Sequence, residues 1–546
     1  MKTTHKSKVL ISTIIFFFIS SIGLLNIRNY PMDYDDYSEK VILWSNVSDY
    51  CQFLGLSTPS APVLIETEVP LIHESIERDH GVAALYLLTP FLTIEDERTV
   101  GFCWHLYLYV FFCMSAVFMF LCLDKLFENK FVSYFCSLMY FLSPRLFGDS
   151  LHNNKDIIFL SLLTIMLYYT ISMTEKDRVL FPVMFAVFGG LFCNTRILGL
   201  YFTAVFGIIY ILVITYRKKW SRKKFTGGLI AAIGTLITYI IVTPAIYAGG
   251  KFNLIGQISY CLERTSNFTA WWAPVLFEGH VYDWRNESLP WYYIPKYILI
   301  TTPPIVILLF VIGLVSTMVL IKKKSNQGLY CGLLFISGFL PLFVAIIKKS
   351  ILYNGWRHFY FLYSIIIIIS AAGLNLLITR FSEKENKSHR KNLLYSICLM
   401  SILFYGLGNA YYQIGGAMYF NLFAGSNVPM RYEMDYSAVI GKEVLRHWIK
   451  TVDEDQIFLY FDGADISVIN NCFSVIDDDI RNKVTLVNDR ELALSLVDRG
   501  YPVYEYFDPD HAYWFGNDRW AYFSNMENVY TYKPWGRTAG AIYRFP

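Results

Sequence analysis

Charged residues are scarce in this chain of 546 residues: they make up 17% of it, whereas 55% is hydrophobic and 18% is aromatic. Such a composition excludes a soluble globular protein. Signatures of several soluble enzymes are also missing, because there is no P-loop, no GxGxxG after a strand and no GxSxG elbow. The absence of CxxC and HExxH spacings argues against zinc. A net charge of +3 gives no indication of a nucleic-acid partner.

What the sequence does have is long apolar segments. A membrane-spanning helix needs roughly 20 mainly apolar residues, and hydropathy predicts about eleven such spans. We expect the first to stay uncleaved, because its apolar stretch exceeds a usual signal-peptide core. The third and fourth are short. The predicted spans lie near residues 9–27, 100–122, 131–144, 157–173, 179–195, 197–215, 226–247, 297–321, 328–347, 359–379 and 392–411.

Basic residues are concentrated in alternate loops, most densely in RKKWSRKK at 217–224 and at Lys322–Lys324. The positive-inside rule places these loops in the cytoplasm. The long loops 28–99 and 248–296 and the tail 412–546 then lie outside, and the tail is large enough for a domain. We therefore expect a helical membrane domain over 1–411, followed by a small extracytoplasmic α/β domain.

The tail alternates helix-like stretches near 437–450 and 489–500 with the apolar runs QIFLYF, KVTLV and PVYEYF. This alternation predicts a small α/β unit. The last residues predict a hairpin around Gly536.

The connection RLFGDSLHNNKD follows the short third span and carries many polar groups. They are Arg145, Asp149, His152, Lys155 and Asp156. Short spans predict a recessed connection, where ionised groups are costly unless they are paired or face water. We expect this turn to form the wall of a site.

The first outward loop begins with PMDYDDYSEK, which brings Asp33, Asp35 and Asp36 together after the first span. A carboxylate held at a helix end can act as a general base when burial raises its pKa. The alternative is a solvated acidic turn. Asp33 and Asp35 also have DxD spacing, which suits magnesium or manganese, although we expect no metal to be required.

The same loop continues with HESIERDHGVAALYLLTP, where Glu74, Glu77, Asp79 and His80 are crowded together before an apolar stretch. Glu77, Asp79 and His80 are candidate substrate-loop residues. The alternative is an amphipathic interfacial helix that keeps its charges in water.

Five basic side chains lie at the outer ends of predicted spans, on an otherwise basic-poor face. They are Arg145, Lys155, Arg196, Arg357 and His358. Arg offers multidentate donors that suit phosphate, and Lys offers a compact positive charge. The alternative is snorkelling to headgroups. In the second loop, Trp271, Trp272 and Trp291 are able to stack on sugar rings or to belong to an interfacial belt.

Taken together, PMDYDDYSEK, ERDHGVAALYLL, SPRLFGDSLHNNKD, NTRILGLYF, NGWRHFYFLY and MYFNLFAGSNVPMRYEMDY resemble a known family. The chain is similar to membrane glycosyltransferases of the GT-C class, in the branch of the dolichyl-phosphate-mannose protein mannosyltransferases. The resemblance implies a polyprenyl-phosphate-linked sugar as donor, used at the outer face of a bacterial inner membrane. Membrane lipids are further partners. It leaves the acceptor open among protein, lipid and cell-envelope polysaccharide.

The resemblance also implies roles for individual residues. Asp35 matches the first acid of the family's Asp-Glu pair, which acts as base, and Asp36 takes the second position. Glu77, Asp79 and His80 match the second polar motif, although Gly81 replaces the usual proline.

We therefore expect inverting transfer, with the basic side chains stabilising the departing phosphate. The alternatives are a transporter, which lacks support because no paired broken helices are evident, and a lipid-binding protein without transferase activity.

Overall fold

The structure is a computed structural model. It describes residues 19–25, 27–32, 34–57, 62, 65, 69–269, 271, 273–382, 388–434, 439–461, 472, 476, 478–509 and 518–546. Asp33, Trp272 and most of the first predicted span lie outside these residues. The described α-helices are α1 (Tyr34–Phe53), α2 (Glu97–Phe127), α3 (Lys130–Phe141), α4 (Pro144–Asp149), α5 (Asp156–Glu175), α6 (Leu180–Thr195), α7 (Leu198–Tyr216), α8 (Arg222–Ile241), α9 (Leu254–Ser266), α10 (Tyr293–Thr301), α11 (Pro304–Lys322), α12 (Asn326–Ile347), α13 (Leu362–Ser382), α14 (Ser388–Tyr412), α15 (Gly441–Trp448), α16 (Asp478–Lys483), α17 (Arg490–Asp498) and α18 (Asp518–Ser524).

Eight helices in the described part of the chain are long and apolar enough to cross a membrane. They are α2, α5, α7, α8, α11, α12, α13 and α14, and each coincides with a predicted span. The expected polytopic helical fold is therefore confirmed. The predicted spans at 131–144 and 179–195 correspond to the shorter helices α3 and α6, of 12 and 16 residues.

Two details of the predicted spans were wrong. The segment near 157–173 is not short, because α5 is a complete helix of 20 residues. The segment near 297–321 is not one helix, because α10 ends at Thr301 and α11 begins at Pro304. Consecutive prolines explain the break, since each lacks a backbone N–H and disfavours helical geometry at the residue before it.

Helix-capping side chains fix several of the helix starts. The carboxylate of Asp96 accepts a hydrogen bond from the Thr99 amide at the start of α2. Ser221 and Ser325 cap α8 and α12 in the same way. Each cap supplies an acceptor to an N–H that has no partner within its helix.

The helix ends divide between two faces. On one face the α1, α8 and α6 ends meet the first loop, because Tyr50 and Tyr86 donate to the carbonyls of Ile241 and Val242, and the Ala83 amide donates to Asn194. We call this the loop face. The other, the basic face, carries Lys224, which pairs with Asp177, together with Lys125 and Lys322–Lys324.

The tail contains a five-stranded sheet within its described residues. Its order is β4-β3-β5-β7-β6, with β3 parallel to β4 and β5, and with β7 antiparallel to β5 and β6. A separate two-stranded hairpin lies in the second loop. The strands are β1 (Val275–Phe277), β2 (His280–Tyr282), β3 (Ile457–Tyr460), β4 (Val484–Val487), β5 (Val503–Phe507), β6 (Asn528–Tyr532) and β7 (Gly540–Arg544).

The strands and the hairpin predicted for the tail are confirmed. Each predicted apolar run contains a strand, and β6 and β7 form the expected hairpin around Gly536. The tail also packs tightly on the helical region. The Trp535 ring lies against Gly408 of α14, and the Asn421 amide donates to the carbonyls of Leu299 and Thr302 where α10 ends.

Candidate active site

Two adjacent carboxylates at the start of α1 have different surroundings. The side chain of Asp35 is 57% exposed, and its Oδ2 accepts a hydrogen bond from Arg357 Nη1 at 3.1 Å. Asp36 is 0% exposed, and its Oδ1 accepts from Trp104 Nε1 and from Asn154 Nδ2, each at 2.7 Å. Successive helical residues point about 100° apart, so the side chains of these two consecutive residues enter separate environments.

A third carboxylate, that of Asp156, contacts two of the predicted basic residues. Asp156 is buried at the N-terminus of α5, where the helix dipole favours a negative charge. It pairs closely with Arg196 Nη2 and lies 3.9 Å from Arg357 Nε. Asn153 Nδ2 donates to it at 3.2 Å. Arg357 is therefore shared between Asp35 and Asp156.

Lys155 belongs to a neighbouring ion pair. Its Nζ lies 3.1 Å from Oε1 of Glu39, which is buried one helical turn after Asp35. The Nδ1 atom of His80 lies 3.7 Å from the same oxygen. Burial raises the pKa of Glu39, but Lys155 and His80 outweigh this effect and lower that pKa to about 2. Glu39 thus stays ionised and holds Lys155 and His80 together.

The second polar motif of the first loop is compact. One possible ligand atom from each of Glu77, Asp79 and His80 lies within 4.8 Å of the others, a group that is able to hold a metal ion. His80 Nε2 lies 3.6 Å from Glu77, and Asp79 lies 3.7 Å from Arg264 of α9. Residues 72–79 form turns, and a 3₁₀-helix follows at Ala83–Thr93, so the charged half of the stretch is not part of an amphipathic helix. His73 and His80 contact Asp49 and Glu39 of α1, so the segment folds back onto α1.

Arg145 is placed differently from the other basic residues. It is 1% exposed, and its Nε donates to the Tyr360 hydroxyl at 3.2 Å. That hydroxyl donates to buried Asp149, which lies 3.4 Å from His152 Nε2. These contacts form a buried polar network beneath the loop that carries Arg357. Most polar residues of the connection after α3 are buried within the protein, although α5 is not short.

His358 follows Arg357 and packs edge-on against Tyr353, with ring centroids 4.7 Å apart. Burial, followed by the positive charge of Arg357, lowers the pKa of His358 to about 3. The imidazole is therefore neutral near pH 7. It is able to donate a hydrogen bond but adds no positive charge.

Aromatic stacking brings the second loop onto this site. The rings of Trp271 and Tyr353 lie 3.7 Å apart and are 5° from parallel, and the Arg357 guanidinium lies 5.3 Å from the centre of Tyr353. Trp271 thus stacks on a side chain of the protein. Trp291, by contrast, is well exposed, as an interfacial belt residue would be.

Sequence reasoning overlooked Glu39, Trp104 and Glu433. A signal existed for Glu39, because it follows Asp35 by four residues and so lies on the same helix face. Nothing local distinguishes Trp104. Glu433 lies in the string MYFNLFAGSNVPMRYEMDY, but the string gives it no role of its own, and its partners are far away in the sequence. Of the predicted set, the structure brings together Asp35, Lys155, Arg196, Arg357 and His358, with Glu77, Asp79 and His80 alongside.

The sequence profile of the dolichyl-phosphate-mannose-protein mannosyltransferase family matches residues 79–247. No curated protein matches the chain. Among solved structures, the chain is similar to ArnT from Cupriavidus metallidurans in its apo state (10% identity, 98% of both chains, TM-score 0.46) and bound to undecaprenyl phosphate (10%, 99% of this chain and 98% of that one, 0.47).

A further similar structure is the Archaeoglobus fulgidus oligosaccharyltransferase tethered to an acceptor peptide containing the NVT sequon. The two sequences are 9% identical, the match covers 97% of this chain and 74% of the oligosaccharyltransferase chain, and the TM-score is 0.45. The profile match includes Asp79, His80, Lys155, Asp156 and Arg196. Residues 79–247 therefore carry the sequence pattern of the dolichyl-phosphate-mannose-protein mannosyltransferases, which confirms over this segment the resemblance drawn from the motifs.

Proposed function

We propose that the protein is a glycosyltransferase that moves a sugar from a polyprenyl-phosphate donor to an acceptor at the loop face. The observation that carries this proposal is the contact between Asp35, an exposed carboxylate, and Arg357, which shares Asp156 with Arg196. A base therefore lies next to cations suited to a phosphate. The match to a mannosyltransferase family supports the same class of reaction.

Arg357, Arg196 and Lys155 form the proposed phosphate subsite. In the structure each of them pairs with a carboxylate, from Asp35, Asp156 and Glu39. The three cations and three anions balance, so a donor phosphate would bring extra negative charge and would have to compete for these partners. Asp35 is the exposed carboxylate of the three, and we expect it to yield its place on Arg357.

The reaction that fits these positions is a single displacement. Asp35 removes the proton from the acceptor hydroxyl as its oxygen attacks the anomeric carbon of the donor sugar. The bond between that carbon and the phosphate oxygen breaks, and the polyprenyl phosphate departs with the electron pair. Arg357, Arg196 and Lys155 stabilise the charge that develops on it. One displacement inverts the anomeric configuration.

We assign Asp36 an anchoring role beside this chemistry. Its buried oxygen holds Trp104 of α2 and Asn154 of the polar connection after α3 against α1. That contact sets Lys155 and Asp156 next to Asp35. The buried network of Arg145, beneath the Arg357 loop, supports the same geometry from below.

We assign the acceptor side to the first loop, where Glu77, Asp79 and His80 border Glu39. The transferred sugar is a hexose or a pentose, and the acceptor is a protein, a lipid or a cell-envelope polysaccharide. The loop face is extracytoplasmic in this proposal, because basic residues are concentrated on the opposite face. An alkaline phosphatase fusion to the C-terminus should be active if the tail is outside and inactive if it is cytoplasmic.

We propose that no metal is required, since Arg357, Arg196 and Lys155 supply hydrogen-bond donors and positive charge to the phosphate once Asp35 yields its place. If a divalent cation takes part, the group of Glu77, Asp79 and His80 offers it mixed carboxylate and imidazole ligands. Of the predicted DxD pair Asp33 and Asp35, Asp33 lies outside the described residues.

The deciding experiment gives purified protein a labelled polyprenyl-phosphate sugar together with membrane extract as a source of acceptor. A glycosyltransferase releases polyprenyl phosphate and labels an acceptor, whereas a transporter or a lipid-binding protein leaves the donor intact. Asp35→Asn is the inactive control for this assay. If the wild-type protein and the variant release donor phosphate equally, the proposal fails.

A further inference from the structure

We propose that Glu433, in the segment after α14, is a positioning residue for Arg357 in donor binding. This inference rests on the proposed function, because Arg357 is taken there as a phosphate ligand. Glu433 does not touch the proposed substrate. It acts through the backbone of the loop 353–357.

Glu433 accepts hydrogen bonds from the loop 353–357 and from α10. Glu433 is 2% exposed, and its Oε2 accepts hydrogen bonds from the Gly355 amide and the Tyr293 hydroxyl, each at 3.2 Å. The Gly355 amide also lies 3.1 Å from the Tyr293 hydroxyl. A buried carboxylate needs such donors to offset its lost hydration, and hydrogen bonds to a charged group are stronger than neutral ones.

Gly355 is a demanding position in the loop. Its φ of +68° lies in the left-handed region that favours glycine. A Cβ atom there would lie 3.3 Å from the Tyr297 ring and 3.7 Å from Arg145 Nη2. The backbone turn that leads to Arg357 is therefore tight, and its amide is held by Glu433 together with the Tyr293 hydroxyl that Glu433 accepts from.

The residues on either side leave Arg357 little freedom. The indole N–H of Trp356 donates to the Thr301 hydroxyl at 2.8 Å, and the Tyr353 ring lies beneath the guanidinium. Glu433 thus holds the backbone at Gly355, and Thr301 holds the side chain of Trp356, the residue directly before Arg357. The backbone of Arg357 is therefore well positioned, and from it the guanidinium reaches Asp35 and Asp156. Preorganised donors of this kind bind a phosphate without first having to be ordered.

The test compares Glu433→Ala and Glu433→Gln with a matched control, Glu505→Ala. Glu505 is also a buried carboxylate of the tail that accepts a tyrosine hydroxyl, from Tyr522 at 2.9 Å, but it lies in strand β5. The measurement is the Kd for a polyprenyl phosphate in nanodiscs. We expect Glu433→Ala to weaken binding about tenfold, because a hydrogen bond to a charged group is lost.

The Gln variant keeps an oxygen acceptor, so we expect its Kd to stay within about threefold of the wild type. The control should stay within about twofold. In the Arg357→Ala background, Glu433→Ala should add less than about twofold, because residues that act through one another are not additive. Tyr293→Phe, which removes the shared hydroxyl, gives a milder second variant should Glu433→Ala fold poorly.

Additive effects of Glu433→Ala and Arg357→Ala would overturn the inference, as would a loss in Glu505→Ala equal to that in Glu433→Ala. Failure of the proposed function gives a different result: the wild-type protein then binds no polyprenyl phosphate. In that case, hydrogen exchange at the Gly355 amide still tests whether Glu433 holds this amide. Faster exchange in Glu433→Ala but not in Glu505→Ala supports it, and unchanged exchange overturns it.

Discussion

Replacement of Asp35 by Asn should separate catalysis from donor binding. The variant keeps the size of the side chain but removes the proposed base and the negative charge beside Arg357. We expect sugar transfer to fall by about 10²–10⁴-fold, the usual contribution of general base catalysis. We also expect the donor to bind more tightly, because a competing carboxylate has been removed from Arg357.

The size of the gain in affinity follows from the ion pair. Asp35 Oδ2 lies 3.1 Å from Arg357 Nη1, with the Asp35 side chain 57% and the Arg357 side chain 11% exposed. Exposed ion pairs contribute about 0.2–1 kcal/mol after solvent screening. Because Arg357 is largely buried, we take the upper end, about 1 kcal/mol, which corresponds to about fivefold in Kd. Asp156 stays near Arg357, so the guanidinium is not left without a partner.

The assay measures transfer and the Kd for a polyprenyl phosphate on the same preparation. Asp283→Asn is the matched control, because Asp283 forms a comparable pair with Arg285, at 3.4 Å, in the second loop. It should change neither quantity. Weaker donor binding by Asp35→Asn would refute the competition between Asp35 and phosphate, and full transfer would refute its role as base.

Three further predictions concern the anchors and the metal. Asp36→Ala leaves the buried N–H groups of Trp104 and Asn154 without their acceptor, so the free energy of unfolding should fall by about 1–3 kcal/mol in denaturant titrations. The pKa of Glu39 is lowered from 4.5 to about 2, so its stabilising effect is complete above about pH 4.5 and is lost as the pH falls toward 2. Thermal unfolding of Glu39→Gln should lose that acid dependence. Transfer should persist in EDTA.

Each of these predictions has a contrary outcome. Unchanged stability of Asp36→Ala would mean that water replaces the carboxylate at little cost. Identical acid sensitivity of the wild type and Glu39→Gln would assign the acid dependence to other groups. Loss of transfer in EDTA, restored by manganese or magnesium, would indicate a catalytic cation, and variants of Glu77 and His80 would then test its ligands.

Hydropathy predicted the membrane spans well because each span must bury its backbone polar groups in helical hydrogen bonds whatever its neighbours are. It did not predict where a helix is interrupted or where it ends. The break between α10 and α11 was written in the adjacent Pro303 and Pro304, but a window average counts prolines as ordinary residues. The 20 residues of α5 were underestimated because polar Asp156 begins the helix and Thr174 and Glu175 end it.

The sequence predicted most of the charged residues that the structure brings together at the candidate site, but not how they pair. Charged residues at span ends on the loop face are few, so their convergence was a reasonable expectation. Which carboxylate meets which cation depends on tertiary packing, because Asp35 and Arg357 are 322 residues apart. The contact between Glu433 and Gly355 could not be predicted for the same reason. No local pattern marks a carboxylate whose donors come from two other segments.

The neighbouring acids Asp35 and Asp36 show why a motif alone does not assign chemistry. A base must exchange protons with the substrate, so it needs an accessible side chain, and Asp35, the proposed base, is 57% exposed beside Arg357. An anchor must keep its partners, so burial favours it, and Asp36 provides one between Trp104 and Asn154. Because α1 turns about 100° per residue, moving the pair one position toward the C-terminus would place the first acid in the buried environment of Asp36 and the second in neither environment. The order of functions in this pair is therefore set by the register of α1 against the polar connection after α3.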